Sequence, residues 1–119
     1  MRLEADVSLG SDECALTARF RVDVPLCVMT GASGAGKTTL LHMIAGLRRP
    51  DRGIIRLDGV TLFDSVAGID LSPERRAIAC VFQDDRLFPH MDVRANLLFG
   101  RRHHKWEGRE DFNLVLDGL

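Results

Sequence analysis

Eight consecutive residues, Gly31, Ala32, Ser33, Gly34, Ala35, Gly36, Lys37 and Thr38, fit the pattern G-x-x-x-x-G-K-[ST] in full. Each residue type serves anion chemistry. Glycines let the backbone curl so that successive N–H groups point inward and reach phosphate oxygens without a Cβ in the way. A helix starting near Lys37 turns the positive end of its dipole on the same anion. Lys37 would set a compact charge against the β- and γ-phosphates, and the Thr38 hydroxyl could complete the coordination of Mg²⁺. Thr39 has two readings: a donor to the α-phosphate, or an ordinary first-turn threonine. The pattern therefore predicts a nucleoside triphosphate, ATP with Mg²⁺, at Gly31 to Thr39.

Such a loop needs a strand before it and a helix after it. Leu26-Cys27-Val28-Met29 is a continuous apolar run that breaks into Gly31, as a parallel strand buried on both faces would. Leu40, Leu41, Ile44, Ala45 and Leu47 recur at helical spacing, and Arg48 and Arg49 suit the negative end of that helix before Pro50. Upstream, Leu16, Ala18, Phe20 and Val22 alternate with polar residues, the period of a half-exposed strand. Ile54 to Leu57 and Val60 to Phe63 flank Asp58-Gly59, a tight hairpin signal. Ser72-Pro73-Glu74 reads as the cap and first turn of a short helix, and Ile78 to Phe82 as a second buried strand ended by Gln83 and Asp84. Asp92 can cap a helix carrying Val93, Leu97 and Leu98, and a last helix holds Phe112, Val115 and Leu116. This order predicts an α/β core with an antiparallel strand layer at its N-terminal end.

The 119 residues suit one domain or part of one. A composition of 45% hydrophobic and 28% charged residues argues against disorder, and a net charge of −1 leaves no global field for nucleic acid or an anionic membrane. The longest charge-free stretch, Val24 to Gly36, is broken by Pro, Gly and Ser and is shorter than the ~20 apolar residues of a membrane span. Glu4 and Asp6 interrupt the start, so no secretory signal is expected and a cytoplasmic location is. Cys14, Cys27 and Cys80 match neither a disulfide framework nor a zinc site and are expected to be buried free thiols. Arginine supplies all but Lys37 and Lys105 of the sixteen basic residues. The run Arg101 to Trp106 reads as a solvated loop, not a nucleic-acid patch.

Beyond the loop, Val81-Phe82-Gln83-Asp84, Leu87-Phe88-Pro89-His90-Met91 and Val93-Arg94-Ala95-Asn96 resemble the glutamine-loop region of ATP-binding cassette (ABC) transporter ATPases. Thr30-Gly31 through Gly46-Leu47, Arg49-Pro50-Asp51 and Gly53 extend the resemblance over most of the chain, and Leu71 to Arg76 makes it closest to the ATP-binding subunits of molybdate importers. The resemblance implies a P-loop NTPase fold of the ABC type. Its layout would be N-terminal strands over 1–30, P-loop and helix over 31–47, hairpin and glutamine-loop strand over 53–82, and the start of a helical subdomain over 83–119. It implies an antiparallel layer plus a partial parallel core sheet, truncated before the signature motif. It also implies that Gln83 reaches Mg²⁺ and the attacking water; from its type alone Gln83 is equally a strand-end residue satisfying a turn. Partners implied are a transmembrane permease contacted through Gln83 to Met91 and a second ATP-binding subunit, on the inner face of the membrane, with no nucleic acid.

The family's Walker B strand, signature and switch histidine do not occur in this sequence, so the chain alone is expected not to turn over ATP. Residues 1 to 19 hold no aromatic, although many family members stack adenine on one there. A stand-alone, non-hydrolysing nucleotide-binding or interaction module is the alternative. A P-loop kinase or GTPase is disfavoured because no Asp-x-x-Gly follows.

Overall fold

The computed structural model describes residues 1–10, 15–84 and 86–99. The chain divides into two compact units, Met1–Cys80 and Val81–Leu119.

In the first unit five strands form one sheet in the order β2-β1-β3-β4-β5: β1 Arg2–Leu9, β2 Leu16–Asp23, β3 Arg52–Leu57, β4 Val60–Asp64 and β5 Ile69–Asp70. Every pairing is antiparallel. Period-two alternation sorts the side chains, and the inward row Phe20, Ala5, Ile55 and Phe63 runs across four strands in register. The helix α1, Lys37–Ala45, adds Leu40, Met43 and Ile44 to that apolar cluster. Their 3.6-residue spacing puts one stripe of the helix on the core. Met43, Ile55 and Phe63 are fully buried, each worth ~1.5–3 kcal/mol over exposure.

The hairpin forms where Asp58-Gly59 foretells it, with both turn residues at positive φ, 48° and 85°. A bulge follows: Ile55 faces Phe63 but Arg56 faces Thr61, leaving Leu62 as the extra residue. It lets Leu62 and Phe63 both enter the core, against strict alternation. Gly53 marks the tightest approach of two strands. At φ 117° a Cβ would stand 1.9 Å from the Asp6 carbonyl oxygen, so only glycine lets β3 lie against β1 there.

Three expectations need correction. The parallel core sheet is not formed: among the described residues neither Leu26 to Met29 nor Ile78 to Phe82 is a strand. A continuous apolar run marks a strand suited to burial on two faces, but the ladder needs a neighbouring strand, and no described segment pairs with either run. Leu26 and Val28 are accordingly 79% and 75% exposed. For the same reason Cys27 and Cys80, which lie in these runs, are exposed free thiols instead of buried ones; Cys14 lies outside the described residues. Helix α1 ends at Ala45, not at Arg48 and Arg49, because Gly46 takes the left-handed conformation and the Leu47 and Arg48 amides fold back to the His42 carbonyl.

Ser72 precedes a single 3₁₀ turn, Pro73–Arg75, and its hydroxyl bonds Glu74, whose carboxyl is held below its usual pKa by that bond. In the second unit α2 covers Val93–Phe99, with the Asp92 side chain accepting the Ala95 amide at 2.7 Å, the expected cap. The basic run and the helix around Phe112 lie outside the described residues. No helix among the described residues is long and apolar enough to cross a membrane.

Candidate functional site

The glycine loop opens at Gly31 and closes onto α1 through Gly36, which stands at the N-cap with φ 84°. No side chain caps this helix, and its first turn holds no acidic residue. Its positive end is therefore left for a ligand instead of being neutralised from within. The intrahelical ladder begins with the Leu40 amide on the Gly36 carbonyl at 2.9 Å, so the amides of Lys37, Thr38 and Thr39 lie ahead of it. Within the loop the Ala35 amide turns back to the Ala32 carbonyl at 3.2 Å.

Lys37 reaches backwards across the loop. Its Nζ donates to the carbonyls of Gly31 at 2.8 Å and Ala32 at 2.7 Å, which ties the end of the loop to its beginning and holds the ammonium there. Residues 31–35 and Thr38 are exposed, while Lys37 and Thr39 are half-buried. Nothing lies within 4 Å of where a Cβ on Gly34 would stand, so the backbone face of the loop is open to a ligand. Behind the loop the Leu16 side chain of β2 packs against Gly36, and a Cβ there would come within 2.6 Å of its Cδ1. The arrangement of amides, ammonium and hydroxyl fits a polyphosphate with a hard divalent cation, for which Thr38 offers an oxygen ligand.

This stretch lies inside a longer match. The family model for "ABC transporter" matches residues 24–118. The chain belongs to the ABC transporter family. Among the similar curated members of that family are three proteins named molybdenum import ATP-binding protein ModC. The Mesorhizobium japonicum protein is 48% identical across 100% of this chain and 32% of its own length. The Paramagnetospirillum magneticum protein is 47% identical over 84% of this chain and 28% of its own. The Brucella suis protein is 49% identical over 87% and 28%. The chain thus spans about 30% of the length of these ABC relatives.

Gln83, in the second unit, is exposed and sits in a bend. The turn that follows it is built by Asn96, a residue whose type alone carries no sign of that role. Asn96 of α2 accepts the Phe88 amide at 2.7 Å and donates to the carbonyls of Phe88, Met91 and Asp92 at 3.2, 3.1 and 3.0 Å. One amide side chain thereby organises Phe88 to Asp92, and the Phe88 ring meets His90 edge-on at 5.9 Å and Phe99 at 4.4 Å. Arg86 lies over the Phe82 ring at 4.2 Å. A turn signal at Pro89 followed within a helical turn or two by Asn was the available hint.

Proposed function

We propose that this chain provides the phosphate-binding part of an ATP-binding, energy-coupling subunit of an ABC importer for molybdate or a similar oxyanion. In this reading Gly31, Ala32, Ser33, Gly34, Ala35 and Gly36 cradle the triphosphate with backbone amides, and Lys37 sets its charge against the β- and γ-phosphates. Thr38 and Gln83 are the oxygen ligands offered to Mg²⁺, and Thr39 donates to the α-phosphate. Bound Mg-ATP would supply the phosphoryl group whose hydrolysis drives transport; this chain's own residues bind and orient it. Gln83 to Met91 is the surface for a membrane permease, with the turn ordered by Asn96 presenting Phe88 and His90. A second ATP-binding subunit and a position on the cytoplasmic face complete the reading.

The observation that carries it is the glycine loop bent onto an uncapped helix N-terminus with the Lys37 ammonium bridging Gly31 and Ala32. The oxyanion is supported by the names of relatives nearly half identical to the chain. Adding Mg-ATP to the ¹⁵N-labelled chain should shift the amide resonances of Gly31 to Thr39 ahead of those in β1 to β4. Unmoved loop amides at millimolar nucleotide would contradict the reading.

A further inference from the structure

Arg76 is a buried charge to which the nucleotide chemistry assigns no task. Only 2% of it is exposed, yet each of its three guanidinium nitrogens donates a hydrogen bond. Nη1 donates to the carbonyls of Met43 at 2.8 Å and Ile44 at 3.0 Å, Nε to the Leu71 carbonyl at 2.7 Å, and Nη2 to Asp70 Oδ1 at 2.9 Å. Met43 and Ile44 belong to the last turn of α1, where carbonyls lack helical partners and a cation faces the negative end of the dipole. Gly46 makes the room. A Cβ there would stand 2.6 Å from Nε, at a φ of 81° that already disfavours other residues.

Ending the helix does not require this arginine. Gly46 supplies the turn, and the amides of Gly46, Leu47 and Arg48 return to the Met43 and His42 carbonyls. An apolar side chain of similar volume would also fill the space without the cost of desolvating a cation. What the planar guanidinium adds is direction: its four bonds tie the far end of α1 to Asp70 and Leu71, while Asp70 is also paired with Arg49 at 3.4 Å. The helix is about 13 Å long at 1.5 Å per residue, so tilting its C-terminal end re-aims the amides and Lys37 at the other.

We propose that Arg76 is a positioning residue for the phosphate loop, acting through the Met43 and Ile44 carbonyls to hold α1 at the angle at which Lys37 and the first-turn amides converge. This rests on the reading of Gly31 to Thr39 as a phosphate site.

The test compares the parent chain with Arg76→Met, Arg76→Lys and Gly46→Ala in three measurements: thermal unfolding, Mg-ATP affinity, and hydrogen exchange of the α1 amides without nucleotide. Arg76→Met should stay folded, exchange its α1 amides faster, and bind Mg-ATP about three- to thirty-fold more weakly. Arg76→Lys, which keeps the charge, should recover part of the affinity. Gly46→Ala, which displaces the guanidinium sterically, should reproduce the loss with Arg76 still in the chain, and decides the matter if Arg76→Met does not fold. A folded Arg76→Met with the parent's affinity and exchange rates would overturn the proposal. If the parent itself binds no Mg-ATP, the phosphate reading falls, and with it Arg76's role toward phosphate, whereas normal parent binding with insensitive variants removes Arg76 alone.

Discussion

Gly53→Ala would force a Cβ to within 1.9 Å of a backbone oxygen at a φ of 117°, and neither strand can yield without breaking the β1–β3 ladder. The expected cost is about 2–5 kcal/mol, adding left-handed strain to overpacking, and a chemical denaturation curve should show the midpoint falling accordingly. At this scale legibility followed locality. Gly31 to Thr38 could be read directly because a phosphate cradle is a contiguous pattern of small residues, one lysine and one hydroxyl. Arg76 and Asn96 could not be assigned, because their partners are mostly backbone carbonyls, some 32 and 33 residues away for Arg76, and a carbonyl leaves no trace in residue type.

The strand layer shows the same division between local and distant determinants. Alternation in Leu16 to Val22 and the Asp58-Gly59 signal are local, and both elements formed as read. Leu26 to Met29 and Ile78 to Phe82 were legible as apolar runs, but strand formation depends on a neighbour that their own composition cannot specify. Within the sheet, Glu4 of β1 faces Arg21 of β2 and Arg56 of β3 and is bonded by Arg2 at 2.8 Å. The Arg2 bond is the main reason its carboxyl titrates below the usual 4.5, with smaller help from the charges of Arg2, Arg21 and Arg56. A depressed carboxylate contributes stability above its unfolded pKa that is lost as pH falls through the folded value. Thermal stability should therefore drop as pH is lowered from about 4.5, and Glu4→Gln should shrink that drop; because Glu4 is only half-buried, added salt should shrink it too. An identical acid limb in parent and Glu4→Gln would place the sensitivity elsewhere.

For the molecule as a whole, the apolar side chains outside the sheet set its behaviour in solution. Leu26, Val28, Met29 and Val81 are exposed, and apolar groups left in water favour association. Light scattering over a concentration series should show this chain self-associating, and Val28→Lys should suppress it; a monodisperse parent at all concentrations would show that these segments find partners within one copy. Whether the glycine loop holds nucleotide is decided by calorimetric titration of Mg-ATP into the parent chain and Lys37→Ala. The parent should bind saturably and the variant should lose more than tenfold in affinity, since deleting a charge paired with phosphate costs about 2–5 kcal/mol. Equal affinities for the two chains would contradict it.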